Sequence, residues 1–389
     1  MALPEHVQQQ RKELVDQLVK DIEAGKPFFW DSGHFGKRPR NLLLSTKGKD
    51  RFYRGINSME LNAVANMKGF KDSRWGTYDQ ARLAGGNVKK GEKGTHIEYW
   101  QYTKDVMKKN PATGKMEPVY VIDPDTGERT RKQERLEHPI VKTYVVFNAS
   151  QMKGIPEEHP IMIDEKDKNE YMENMLANSE AKIFYDQTNR NFYRSSADEI
   201  HVMDRKDFKS LDAFYSTVAH EIAHSTGAES RLNRETLKNN DGFGGPIYAQ
   251  EELRAEMASM FLQQEYGIKF DESHYKNHAA YLQAWAEALK KDPNELFRAA
   301  ADAEKAAEYI KEHMLEKGLE KIRDKEPALG VEAKPEMVTK LQQEKEAKKA
   351  RWAKSKARSY PHKEKQLSPK EKLHQELTRK QSMSKGRSI

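Results

Sequence analysis

The chain has 389 residues, room for two domains and a tail, and with 36% apolar residues, 33% charged residues and a mean hydropathy of −0.97 it is too polar for one globule throughout. Cysteine is absent, which excludes a disulfide scaffold and thiolate metal ligation; no apolar run nears the roughly 20 residues that cross a bilayer, and MALPEHVQQQRKELVDQL has no signal-peptide core, so the expectation is a cytoplasmic protein without membrane partners. The net charge of +7 is local: residues 324–389 hold 18 Lys and Arg against 9 Asp and Glu, so a nucleic-acid role for the rest must rest on local patches.

Residues 5–24 read as an amphipathic helix closed by Gly25. An aromatic and basic loop follows, then a helix near 58–68, then a helix, a glycine turn and the strand THIEYWQY. Residues 104–140 are polar, with the turns NPATGK and DPDTGE, and read as an exposed hairpin or insertion. KTYVVFNASQMKGIP (142–156) reads as a strand, and Pro156 with the acidic stretch after it marks a boundary. The second unit opens with a helix (168–180) and short strands at KIFYDQ, NFYRSS and DEIHVMD. The helix SLDAFYSTVAHEIAHSTG follows, with Gly227 expected in the left-handed position beyond its end. Further helices are expected over 249–267, 278–292 and 293–314. The expected fold class is α+β: a mixed α/β domain over 1–160, a mainly helical domain over 161–320, and a basic low-complexity tail over 321–389, partly helical but unpacked.

TVAHEIAHSTG carries the most specific chemistry. Residues i and i+4 share a helix face, so His220 and His224 can aim imidazoles at one point, with Glu221 beside it. A catalytic zinc takes three protein ligands and a water whose pKa it lowers to about 7, and Glu221 is the natural base for that water. The small apolar neighbours Val218, Ala219, Ile222 and Ala223 suit a helix buried under a cleft. HExxHxxGxxH is excluded because position 230 is Ser. The third ligand is therefore expected from the next helix: Glu252 first, Glu256 as alternative or as a carboxylate orienting an imidazole, and Glu251 last because it points to another side. Zn2+ is the expected ion, with another divalent transition metal as the alternative, and Tyr248 or His278 could stabilise an oxyanion.

Between Trp30 and Trp100, aromatics alternate with cations and glycines: Trp30, Arg51, Tyr53, Arg54, Trp75, Tyr78, Lys89, Lys90, Lys93, Tyr99 and Trp100. Single-stranded nucleic acid needs flat faces for its bases and charge along its backbone. Asn57, Gln80 and Asn148 could reach base edges, while the competing reading places these aromatics in a core.

RFYRGINSMEL, RWGTYDQARLAGGNVKKGEKGTHIEYW and TYVVFNASQMKGIP resemble the N-terminal domain of ArdC-type antirestriction proteins and TraC-type plasmid primases. SADEIHVMDRKDF, TVAHEIAHSTGAESRLNRE and YAQEELRAEMASMFL resemble the zincin-type metallopeptidase domain that follows it in ArdC-like proteins. The resemblance covers about residues 8–315, departs at Met203 where the pattern has Pro, and stops before the tail. No primase-type acidic domain is apparent after residue 160, which favours the ArdC-like branch. The resemblance implies single-stranded-DNA binding by the first domain and, for a plasmid- or phage-borne protein, protection of incoming DNA from host restriction. It further implies metal ligation by His220 and His224 with Glu221 as catalytic carboxylate. The expectation for the whole chain is a gluzincin-like peptidase acting on a DNA-associated protein or a restriction enzyme. A rival expectation is a non-catalytic DNA-protecting module with a structural metal.

Overall fold

The structure, a computed structural model, describes residues 5–24, 37–46, 48–122, 127, 129–158, 165–242, 244–269, 272–317 and 330–359. Gly25, Trp30 and the tail beyond 359 lie outside the described residues. Helix α1 (Glu5–Glu23) buries Val15, Leu18, Val19 and Ile22, a single stripe at helical spacing. Strand β1 (Arg40–Asn41) precedes α2 (Gly55–Lys68), which ends where Gly69 turns left-handed. After β2 (Arg74–Gly76), a Thr77–Gln80 capping box opens α3 (Tyr78–Leu83). Then come β3 (Asn87–Val88), β4 (Thr95–Asp105), the hairpins β5 (Met107–Lys109) with β6 (Met116–Pro118) and β7 (Tyr120–Ile122) with β8 (Arg129–Arg131), and β9 (Gln133–Asn148) and β10 (Met152–Lys153).

One sheet runs β1-β2-β9-β4, parallel in its first pair and antiparallel thereafter, and β3 pairs with β10. The strand expected over 142–156 instead starts at Gln133 and stops at Asn148. There the side chain accepts the Ser150 N–H at 2.9 Å and diverts the chain into a short turn.

The second region holds α4 (Glu165–Ala177), β11 (Lys182–Gln187), β12 (Phe192–Arg194), β13 (Glu199–Met203), α5 (Leu211–Ser225), α6 (Glu235–Lys238), α7 (Pro246–Tyr266), α8 (Glu272–Lys291) and α9 (Glu295–Ile310). Its sheet is ordered β11-β13-β12, with β12 antiparallel on the edge. From Ala213 to Ser225 every residue of α5 is buried, because the sheet and α7 cover it. Phe214, Val218 and Ile222 join Leu253, Met257 and Phe261 in one core. Val15, Leu18 and Val19 of α1 belong to that same core, beside Trp285 and Leu289 of α8. A separate compact unit, Pro335–Ile389, contains the basic helix α10 (Pro335–Ser359). Among the described residues no helix is long and apolar enough to cross a membrane.

Candidate metal centre

Ser210 caps α5 by accepting the Ala213 N–H at 3.1 Å, fixing where the helix starts and hence which face carries the histidines. His220 and His224 stand one turn apart with Nε2 atoms 3.2 Å from each other. From α7, Glu252 brings its carboxylate to 3.5 Å from His220 Nε2 and 3.3 Å from His224 Nε2. These donor atoms all lie within 4.8 Å of one another and all three residues are buried. Two imidazoles and one carboxylate converging on a shared point match the donor chemistry of a divalent transition ion, as in two-His, one-Glu catalytic sites.

Each imidazole is held from behind. His220 Nδ1 lies 3.2 Å from Glu256 Oε2, and His224 Nδ1 lies 3.2 Å from Glu251 Oε1. A carboxylate at Nδ1 favours the proton there, so the neutral imidazole would turn its Nε2 lone pair to the site. The expectation that Glu251 points elsewhere is thus corrected. Burial disfavours charge on His220, yet hydrogen bonds to Glu252 and Glu256 raise it well above its usual range. For His224 burial is likewise outweighed by Glu252 and Glu251, and its pKa is raised to about 9. Burial would neutralise the acids, but Arg234 and His224 hold Glu251 at about 2, and the two imidazoles hold Glu252 well below the carboxylate range. The carboxylates are therefore anionic and favour positive charge at this point, supplied by the imidazolium protons or by a divalent ion that displaces them.

The donors open on a cavity of about 520 Å³ that is also lined by Glu221, Tyr248 and, on β12, Phe192 and Tyr193. The side chain of His278, on α8, lies outside the described residues. Gly227 does not adopt the expected left-handed conformation. Instead, a Cβ there would come within 2.8 Å of the Arg234 guanidinium.

The aromatic and cationic residues of the first region separate into two groups. Trp75 is 1% exposed and packs with Leu61, Ile97 and Val146, so it presents no face to a base. Tyr53 is half-buried and donates its hydroxyl to the Trp75 carbonyl. Asn57 exchanges both side-chain hydrogen bonds with the Glu98 backbone, Gln80 closes the α3 capping box, and Asn148 is buried. Trp100 donates to Glu98 and stacks on Tyr102, Arg51 donates to Asn41 and to the Leu43 carbonyl, and Arg54 pairs with Glu308 at 3.3 Å.

Tyr78, Lys89, Lys90 and Lys93 are exposed, as is Tyr99, which sits edge-to-face with Tyr144. Tyr78, Lys89 and Lys90 border a shallow cavity of about 630 Å³ with Phe147 and Lys153. Those last two were missed because Phe147 reads as one more strand aromatic and Lys153 as an isolated turn cation.

A buried HExxH helix facing a carboxylate helix, with a three-stranded sheet alongside, defines a zincin-type centre. Residues 170–302 match the zincin-like metallopeptidase family, and residues 8–147 match the N-terminal domain of anti-restriction factor ArdC. The solved antirestriction ArdC protein from plasmid R388 is similar in its metal-free form (31% identity, TM-score 0.57) and its Mn(II)-bound form (30% identity, TM-score 0.57). Each match covers 78% of this chain and 97% of that one. This chain belongs to the ArdC-like antirestriction proteins. It is also 39% identical over 306 residues to a DNA primase TraC of Escherichia coli and 37% identical over 302 residues to another. These matches cover 77% and 76% of the chain but only 27% and 19% of the primases' lengths. An uncharacterized protein, y4eC, of Sinorhizobium fredii is 28% identical over 307 residues, which is 76% of this chain and 90% of that protein.

Proposed function

We propose that this is a cytoplasmic antirestriction protein of a plasmid or phage that binds single-stranded DNA and hydrolyses a peptide bond in a DNA-associated protein, such as a host restriction enzyme. The observation that carries the hydrolase half is the convergence of His220, His224 and Glu252 on a cavity that Glu221 also lines. His220, His224 and Glu252 would hold a divalent ion, zinc by the donor set or manganese as in the Mn(II)-bound relative. Such an ion supplies a water of lowered pKa and polarises a carbonyl. Glu221, which lines the same cavity, would serve as the proton acceptor there, and Tyr248, also on the lining, would be the donor to a substrate carbonyl. Among the described residues no strand pairs with the outer edge of β12, which would add an extended peptide with its scissile bond over the site. The DNA half is supported by the Tyr78–Phe147 cavity and its lysines, which offer flat faces for bases beside charge for phosphates.

Glu221→Gln tests the hydrolase reading. It is expected to keep wild-type metal content by elemental analysis and to lose protection of unmodified incoming DNA, measured as transfer efficiency into a restricting host. Retained protection with retained metal would instead make the chain a non-catalytic DNA-protecting module.

A further inference from the structure

The segment after α5, SRLNR (230–234), belongs to the family-like motif but has no part in the chemistry above. It carries two arginines with buried side chains and different partners. Arg234 meets both oxygens of Glu251, Nη2 to Oε1 at 2.5 Å and Nε to Oε2 at 3.2 Å. Thr236 Oγ1 donates to the same carboxylate at 2.5 Å. The guanidinium also grips the end of α5, donating to Thr226 Oγ1 at 2.6 Å and to the Ala223 carbonyl at 2.8 Å. One planar group therefore ties the C-terminal turn of α5, which carries His224, to the point on α7 where Glu251 and Glu252 adjoin.

We propose that Arg234 is a positioning residue for the metal centre, acting through Glu251 on His224, and that Gly227 is kept small to seat its guanidinium. The proposal rests on the metal-site reading above. A carboxylate at 1% exposure held only by His224 and Thr236 could rotate. Bidentate pairing to Arg removes that freedom, so Oε1 stays aimed at His224 Nδ1. Fixing Glu251 also fixes the adjoining backbone and hence the approach of Glu252. Lysine cannot replace this fork, because its ammonium is a point donor. A methyl at position 227 would stand 2.8 Å from Arg234 Cζ and Nη2 and push the guanidinium off its seat.

Arg231 provides the internal control. It lies in the same segment and its side chain is 2% exposed. It too grips the end of α5, donating to the Ser225 carbonyl at 2.7 Å, but its carboxylate partners are Asp198, which also accepts from Tyr193, and Glu180 at 3.6 Å. Its loss should loosen the fold without reorienting His224.

The test measures Zn2+ affinity by chelator competition, and thermal unfolding of the metal-free protein, for wild type, R234K, G227A, R231K, E251Q and the R234K/E251Q double variant. R234K and G227A are expected to weaken Zn2+ binding about 10- to 100-fold, the range for a lost orienting partner. R231K should lower the unfolding temperature but leave affinity within about twofold. Because Arg234 acts through Glu251, R234K should cost little further affinity in the E251Q background. Equal affinity loss in R234K and R231K, or full additivity in the double variant, would overturn the proposal. Wild type that takes up no Zn2+ would sink the metal-site reading itself, a separate outcome.

Discussion

Three carboxylates within one and a half turns of α7 take three positions around two imidazoles: Glu252 at their shared front, Glu256 behind His220 and Glu251 behind His224. Glu252→Ala is expected to abolish stoichiometric metal. Glu256→Gln, which loses only an orienting partner, should weaken binding roughly 10- to 100-fold. Elemental analysis of both after identical purification checks the assignment, and loss in the Glu256 variant alone would exchange the two roles. His220, Glu221 and His224 were legible because a four-residue spacing on one helix is itself a geometry. Glu251 was not, because its role depends on how α7 crosses α5. Asn57, Gln80, Asn148 and Trp75 are engaged within the fold, because the side chains that read bases are also those that cap turns and fill cores.

At the level of elements, periodicity located the helices but not their partners. Helix α1 lies before the boundary expected at 160, yet its stripe packs among helices from after it. Leu18→Ala is therefore expected to destabilise the helical core by about 2–5 kcal/mol, read from the urea midpoint of the whole chain. A second tie runs between α2 and α9, where the Gly55 N–H donates to Glu304 at 2.8 Å because Arg54 supplies no side-chain cap. Arg38 bridges Glu304 and Glu265, and Glu265 also pairs with Lys311. Burial would raise the Glu265 pKa, but Arg38 and Lys311 hold it below the usual range. Its folded pKa being lower than its unfolded one, the unfolded chain binds more protons as the pH drops. The contribution of Glu265 is thus complete above about pH 4.3 and is lost as the pH falls through the depressed value. Glu265→Gln should flatten that acid limb and, by removing one of two carboxylate partners from both Arg38 and Lys311, cost about 3 kcal/mol at neutral pH. Urea midpoints taken from pH 3 to 7 would test both parts.

Over the whole molecule, the order of the motifs made the two regions legible, while the overall pI carried no information about the proposed strand-binding face, since the positive excess lies after residue 323. Such a face would act through local groups, each with a separable contribution to binding. For a single strand, log K falls with log salt by about 0.7 for each neutralised phosphate. Lys90→Gln and Lys153→Gln, both at the Tyr78 cavity, should each reduce that slope by about 0.7. Tyr78, 53% exposed, contributes a stacking face without charge, so Tyr78→Ala should weaken binding by about 1–3 kcal/mol with the slope unchanged. Trp75→Ala serves as the contrast, because removing a core side chain should cost about 3–5 kcal/mol of stability and affect DNA binding only as the fold fails. Filter binding of the full chain to single-stranded and duplex oligonucleotides across a salt series measures all of these at once. Equal affinity for the two forms, or unchanged slopes in both lysine variants, would remove the Tyr78 cavity as the strand-binding face.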